Sequence, residues 1–163
     1  MSDRLTSKWT ATAAEAYGAS GDRGRQGEML VCSILKRNGF SVQDFEEQYK
    51  EQVAGVDVLV NGHTIDVKCN LHNKQFWIET GHGGWLFNSR KTSDIILHVD
   101  LTTEEVVWYT RESAKTKVRK TEHLTTHISE SKFHPGFMSR SWDDLFSLLQ
   151  GDKCSQPNET VSG

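Results

Sequence analysis

The sequence predicts a mixed α/β domain, and three observations carry that reading. Residues 23–38, RGRQGEMLVCSILKRN, place Leu30, Val31, Ile34 and Leu35 at helical spacing, end in basic residues and are closed by Gly39. Residues 56–60 and 63–69 are short runs rich in Val, Ile and Thr, separated by Asn61-Gly62, the dipeptide that a tight type I′ hairpin requires. Further short apolar runs at 75–80, 94–100 and 105–110 supply more strands than a lone hairpin needs.

Taken in order, residues 1–22 are small and polar with Trp9 and Tyr17 as their large anchors, and read as an N-terminal arm. After the first helix, 40–45 reads as a short strand leading into the solvent-facing acidic stretch QDFEEQYKEQ. The hairpin and the strand at 75–80 follow, then the glycine-rich GHGGW, which fits either an ordinary glycine turn or a flap that touches DNA. Residues 111–120 read as a basic helix. Residues 141–150 read as an amphipathic helix with Trp142, Leu145, Phe146 and Leu149 inward, and 151–163 as a disordered tail. One domain at 23–150 is therefore expected between an arm and a tail.

Composition narrows the class. A chain of 163 residues suits one hydrophobic core. At 36% hydrophobic and 25% charged it is close to soluble globular usage, and it has no apolar run near the roughly 18–20 residues that cross a bilayer. No membrane partner is expected. The first twenty residues lack an apolar signal core, so the expected location is the cytoplasm, that of a host cell if the chain is phage-encoded. Cys32, Cys69 and Cys154 show no C-x-x-C spacing, which argues for reduced thiols and against a cysteine zinc site. The formal net charge of −3 means that any nucleic-acid-binding surface must be local.

The hairpin carries the chemistry. With Asn61-Gly62 as the two turn residues, cross-strand partners are pairs whose numbers add to 123, so Asp57 faces Asp66. Carboxylates placed so, with Cβ atoms roughly 4.5–5.5 Å apart, repel unless a cation lies between them. Alternation points Lys68 the same way as Asp66, and sends Val56, Val58, Ile65 and Val67 to the opposite face, the presumed core. Two carboxylates and a lysine on a rigid hairpin suit a hard cation such as Mg²⁺ and, with it, phosphodiester hydrolysis. The same residues also fit a merely solvated hairpin face. Glu28 shares a helical face with Val31 and Leu35 and so points towards the core. It is either a third metal ligand or a first-turn glutamate that stabilises the helix N-terminus.

The order of these features resembles the PD-(D/E)XK nuclease superfamily, most closely archaeal-type Holliday junction resolvases and small phage-borne relatives. The residues that carry the resemblance are Arg23-Gly24-x-x-Gly27-Glu28, Asn38-Gly39-Phe40, Gly55-Val56-Asp57 and Asp66-Val67-Lys68. Val56 stands in place of the proline in the motif's name, and Asp66 where resolvases commonly have glutamate. The resemblance implies a restriction-endonuclease-like αβββαβ core with a mixed central sheet flanked by helices. It implies Glu28, Asp57, Asp66 and Lys68 as the catalytic set, the three acids as ligands of Mg²⁺ or Mn²⁺, and cleavage of DNA during recombination. A homodimer is expected because one small chain carries one site while the substrate has two strands.

Outside this set, Glu79 reads as a site neighbour or a surface glutamate, and Lys74 and Gln75 as residues that could touch phosphate. In 111–120, Arg111, Lys115, Lys117, Arg119 and Lys120 stand against the single acid Glu112, the most concentrated positive segment of the chain and the candidate DNA contact. The glycine loop lacks the G-K-[ST] ending of a phosphate-binding loop, so no nucleotide cofactor is expected. His123, His127 and His134 read as surface or structural, and His63 faces away from Asp66. The expected function is thus a Mg²⁺-dependent endonuclease on branched DNA. The alternatives are a restriction-like or nicking endonuclease on duplex DNA, a nucleic-acid-binding module without turnover, and a small interaction domain bearing the motif by accident.

Overall fold

Leu30, Val31, Ile34 and Leu35 lie on the inner face of the first helix, α1 (Ala19–Arg37), in a computed structural model that describes residues 19–44, 56–88, 93–121, 125–128 and 137–151. Helix α1 ends in a Schellman motif. Gly39 adopts φ 91°, its N–H donates to Lys36 O at 3.1 Å, and Phe40 N–H donates to Leu35 O at 3.1 Å. The helix starts before residue 23, so 19–22 belong to it and not to the expected arm. Residues 1–18, the acidic stretch beyond residue 44, the tail beyond 151, His123 and His134 lie outside the described residues.

Strand β1 (Val42–Asp44) is shorter than the expected 40–45. It pairs antiparallel with β2 (Val58–Val60), which turns through Asn61 (φ 49°) and Gly62 (φ 82°) into β3 (His63–Lys68). The observed partners Val58–Ile65, Leu59–Thr64 and Val60–His63 keep the expected register. The turn also caps the last helix: Asn61 Nδ2 donates to Leu149 O at 2.8 Å, and His63 Nε2 lies 2.8 Å from Gly151 O. Next come β4 (Phe76–Glu79), β5 (Ile95–Val99), β6 (Val106–Thr110), α2 (Arg111–Lys117), β7 (Thr125–Ile128) and α3 (Trp142–Gln150). Ser141 caps α3 by accepting from Asp144 N–H at 3.1 Å. Helix α2 stops at Lys117, short of the expected 120, because Val118 is extended (φ −101°, ψ 127°).

The five-stranded sheet runs β1-β2-β3-β5-β6, with β3 and β5 parallel and every other pair antiparallel. Strands β4 and β7 form a separate two-stranded sheet, and β7 was not expected from the sequence. Two features differ from the expected αβββαβ order. The connection from β3 to its parallel neighbour β5 carries β4 and the glycine loop and, among the described residues, no helix. Helix α2 follows β6 instead.

Both faces of the main sheet are packed. Val58, Val60, Ile65, Val67, Ile95, Leu97 and Val99 meet α1 and α3 through Val31, Leu35, Leu145 and Leu149. On the other face Ile96, Val107 and Tyr109 pack against Leu71, Phe76, Ile78, Trp85, Leu86, Ala114 and Phe137. The face expected to carry the chemistry, with Asp66 and Lys68, is partly roofed by β4 and the glycine loop. A continuous buried run such as β5 needs two covers, because both of its faces are apolar.

The roof depends on Gly84. A Cβ there would lie 2.5 Å from Glu79 O and 2.6 Å from the Glu79 carbonyl carbon. Replacement by alanine is expected to cost about 1–3 kcal/mol through overpacking. Thermal denaturation checks this, and an unchanged melting temperature would contradict the packing.

Candidate functional site

Helix α1 meets the end of β3 at Gly27, where a Cβ would stand 3.2 Å from Cys69 Cβ and 3.6 Å from Val67 Cγ1. The next residue, Glu28, is thereby directed inward and is 8% exposed. Its Oε1 lies 3.3 Å from Nη1 of the buried Arg25. Burial of Glu28 agrees with the helical-face argument. Its arginine partner was not singled out from the sequence, although the spacing of three residues on a helix is a readable sign.

Asp57 sits one residue before β2 and completes the edge of β3 in two ways. Its N–H donates to Ile65 O at 2.9 Å, and its Oδ2 accepts from Val67 N–H at 2.8 Å. Its carboxyl is nevertheless held well above the ordinary aspartate range, first by burial, then by the charges of Asp66 and Glu28; the Val67 N–H and Lys68 oppose this without cancelling it. The structure thus places Asp57 within electrostatic reach of both Asp66 and Glu28.

Asp66 is 2% exposed. Its Oδ1 lies 3.3 Å from Lys68 Nζ, whereas its Oδ2 is buried with no hydrogen-bond partner. Buried carboxylate oxygens are normally satisfied, so this atom marks a place where a donor or cation belongs. Lys68 also lies 4.3 Å from the centre of the Trp85 ring. Trp85 was read from the sequence only as part of a glycine loop, and its sequence distance from Lys68 gave no sign of the contact.

Below the lysine a polar chain runs inward from the half-buried Asn70 to the fully buried His98 and Tyr109. Asn70 Nδ2 donates to Trp77 O at 3.1 Å, so its Oδ1 accepts from His98 Nδ1 at 2.6 Å. His98 Nε2 then accepts from the Tyr109 hydroxyl at 2.7 Å. Burial, with Lys68 adding to it, depresses the His98 pKa and keeps the ring neutral, while burial raises the Tyr109 hydroxyl. These residues brace the site from within and were missed because each is unremarkable in sequence.

The remaining candidates are more scattered. Glu79 is half-buried at the end of β4, beside the glycine loop; its carbonyl accepts from Leu86 N–H at 3.4 Å. Lys74 and Gln75 are exposed at a turn between the bridged residues His72 and Gln75. Lys115, Lys117, Arg119 and Lys120 are exposed, as a phosphate-contacting surface requires. Arg111 is a correction. It is 9% exposed, and its guanidinium donates to Trp85 O, to Leu86 O at 3.1 Å, to Ser93 O at 2.8 Å and to Ser93 Oγ at 3.0 Å. A side chain so engaged is an internal strut, because its donors are already committed to protein oxygens.

Among the described residues, no three His, Cys, Asp or Glu side chains form a ready-made metal cage. The residues present still fit a hard divalent cation of the Mg²⁺ type, which commonly takes one or two carboxylates and fills its shell with water and phosphate oxygens. The partnerless Asp66 Oδ2 and the mutually repelling carboxylates carry that fit. Among the described residues no helix is long and apolar enough to cross a membrane. Compared with protein-family models, curated proteins and solved structures, the chain matches none.

Proposed function

We propose that the protein is a Mg²⁺-dependent endonuclease that hydrolyses DNA phosphodiester bonds, with branched DNA as the preferred substrate and a homodimer as the working unit. One observation carries the reading: a buried, partnerless carboxylate oxygen of Asp66 lies on a residue paired to Lys68, and Asp57 beside it feels the charges of both Asp66 and Glu28. Asp57 and Asp66 would hold the ion, with Glu28 in support. Such an ion supplies Lewis-acid polarisation of the phosphate and a more acidic bound water. Lys68 sets a positive charge where negative charge grows on the phosphate oxygens. The half-buried Asp57 and Lys68 leave the site open on one side, and Lys115, Lys117, Arg119 and Lys120 offer phosphate contacts. The preference for branched DNA rests on the family resemblance, and the dimer on one small chain carrying one site for a two-stranded substrate.

The test is cleavage of a labelled four-way junction, linear duplex, flap and single strand with Mg²⁺, Mn²⁺ or EDTA. Metal-dependent paired cuts at the junction are expected, with activity lower by about 10²–10³-fold in Lys68→Ala, a loss of the size seen when one charge-stabilising donor is removed. Equal cutting of the duplex would reassign the substrate. Cleavage that persists in EDTA, or that proceeds at the wild-type rate in Lys68→Ala, would defeat the assignment of the site. Binding without cutting would leave a nucleic-acid-binding module.

A further inference from the structure

We propose that Trp85 is the positioning residue of Lys68, and that Arg111 is the clamp that keeps it there. The inference rests on the nuclease reading only for its effect on cleavage. Lysine has a long, flexible stem, and a single ion pair to Asp66 does not fix it, since the ammonium can swing about one contact. The Trp85 ring, 4.3 Å from Nζ, provides the second point. An aromatic face attracts the cation through its quadrupole and leaves the N–H groups free for oxygen acceptors. The ammonium is thus located by the ring and aimed by the carboxylate, with donors left for a phosphate.

The ring is itself held. Trp85 is 6% exposed and follows Gly84, whose backbone is pressed against Glu79. The Arg111 guanidinium gathers the carbonyls of Trp85, Leu86 and Ser93, and Arg111 N–H donates to Asp94 O at 2.8 Å, so the C-terminal end of the glycine loop and the residues that lead into β5 are tied to the start of α2. Behind the indole, the His98 ring lies 6.3 Å away, centre to centre. A buried arginine that binds the Trp85 and Leu86 carbonyls and is itself anchored to Ser93 holds the end of that loop in place. The side chain this loop presents to the acid site is Trp85.

The test uses the full chain and two readouts. The ε-methylene protons of Lys68 are bonded next to an ammonium 4.3 Å from the indole centre, and ring-current shielding should move them upfield of those of a solvent lysine. Trp85→Leu should abolish that shift and lower kcat about 10- to 100-fold, the scale of a misplaced catalytic group, with KM little changed. Trp85→Phe, which keeps an aromatic face, should retain part of the shift and most of kcat; it also serves if the leucine variant does not fold. An unchanged Lys68 shift in folded Trp85→Leu would overturn the inference, as would equal kcat losses for Leu and Phe. If the wild type cuts no DNA, the nuclease reading fails, while the proton shifts still decide whether Trp85 holds Lys68.

Discussion

Asp57→Asn is expected to melt about 3 °C higher than wild type in EDTA near neutral pH, and to lose at least 10³-fold in Mg²⁺-dependent cleavage. The two changes share one cause. In the native state burial, Asp66 and Glu28 all disfavour the Asp57 carboxylate. Asparagine removes that charge and keeps an oxygen for the Val67 N–H. A rise of this size corresponds to roughly 1 kcal/mol for a domain of this length. The same charge is what a metal needs, so the variant should also lose any Mg²⁺-induced rise in melting temperature.

The pH dependence has a definite sign. Unfolded aspartate ionises near about 3.9, whereas native Asp57 keeps its proton to higher pH. Between those two values the native state binds more protons, so the stability of the metal-free protein falls as pH rises through the window. Above the native value the loss is constant; below the unfolded value it is absent. Asp57→Asn should flatten this part of the profile in EDTA. Thermal melts across pH read all of this, and a variant less stable than wild type in EDTA would contradict the crowding of carboxylates.

Arg111→Met should destabilise the protein by about 3 kcal/mol, since it removes the donors that reach Trp85 O, Leu86 O and Ser93 O and leaves buried carbonyls unpaired. That corresponds to a fall in melting temperature of about 6–12 °C. A phosphate-contacting Arg111 would give the opposite pattern, with weaker DNA binding at unchanged stability. Lys115→Ala or Lys117→Ala, at exposed positions of the same helix, should leave the melting temperature within about 1 °C. Calorimetry of the three variants separates the strut from the surface.

Local rules made much of the chain legible. Asn61-Gly62 determined the hairpin and the register of Val58–Ile65, Leu59–Thr64 and Val60–His63, because a two-residue turn leaves no freedom in pairing. One residue further the expected pairing of Asp57 with Asp66 gives way: Asp57 N–H also donates to Ile65 O, and its carboxylate accepts from Val67 N–H. The apolar spacing of α1 and Gly39 determined where that helix packs and stops, and its inward face carried Glu28 with it. The short strands at 75–80, 94–100 and 105–110 were readable within a residue or two at each end.

Tertiary structure alone decided the rest. Strand β7, TTHI, carries one apolar residue and no alternating pattern, and it exists as the partner of β4. The parallel pairing of β3 with β5 joins segments separated by β4 and the glycine loop, a choice that no local pattern encodes. Arg111 looked like surface charge beside Lys115 and Lys117, yet its helix starts under the loop, where backbone carbonyls need a donor. Trp85 meets Lys68, and His98 meets Asn70 and Tyr109, only after the sheet is assembled. The sequence by itself determined the helix cap, the hairpin and its register, since those follow from short-range sterics and period. What roofs the acid site, and which cation is a strut, depended on packing between residues far apart in the chain.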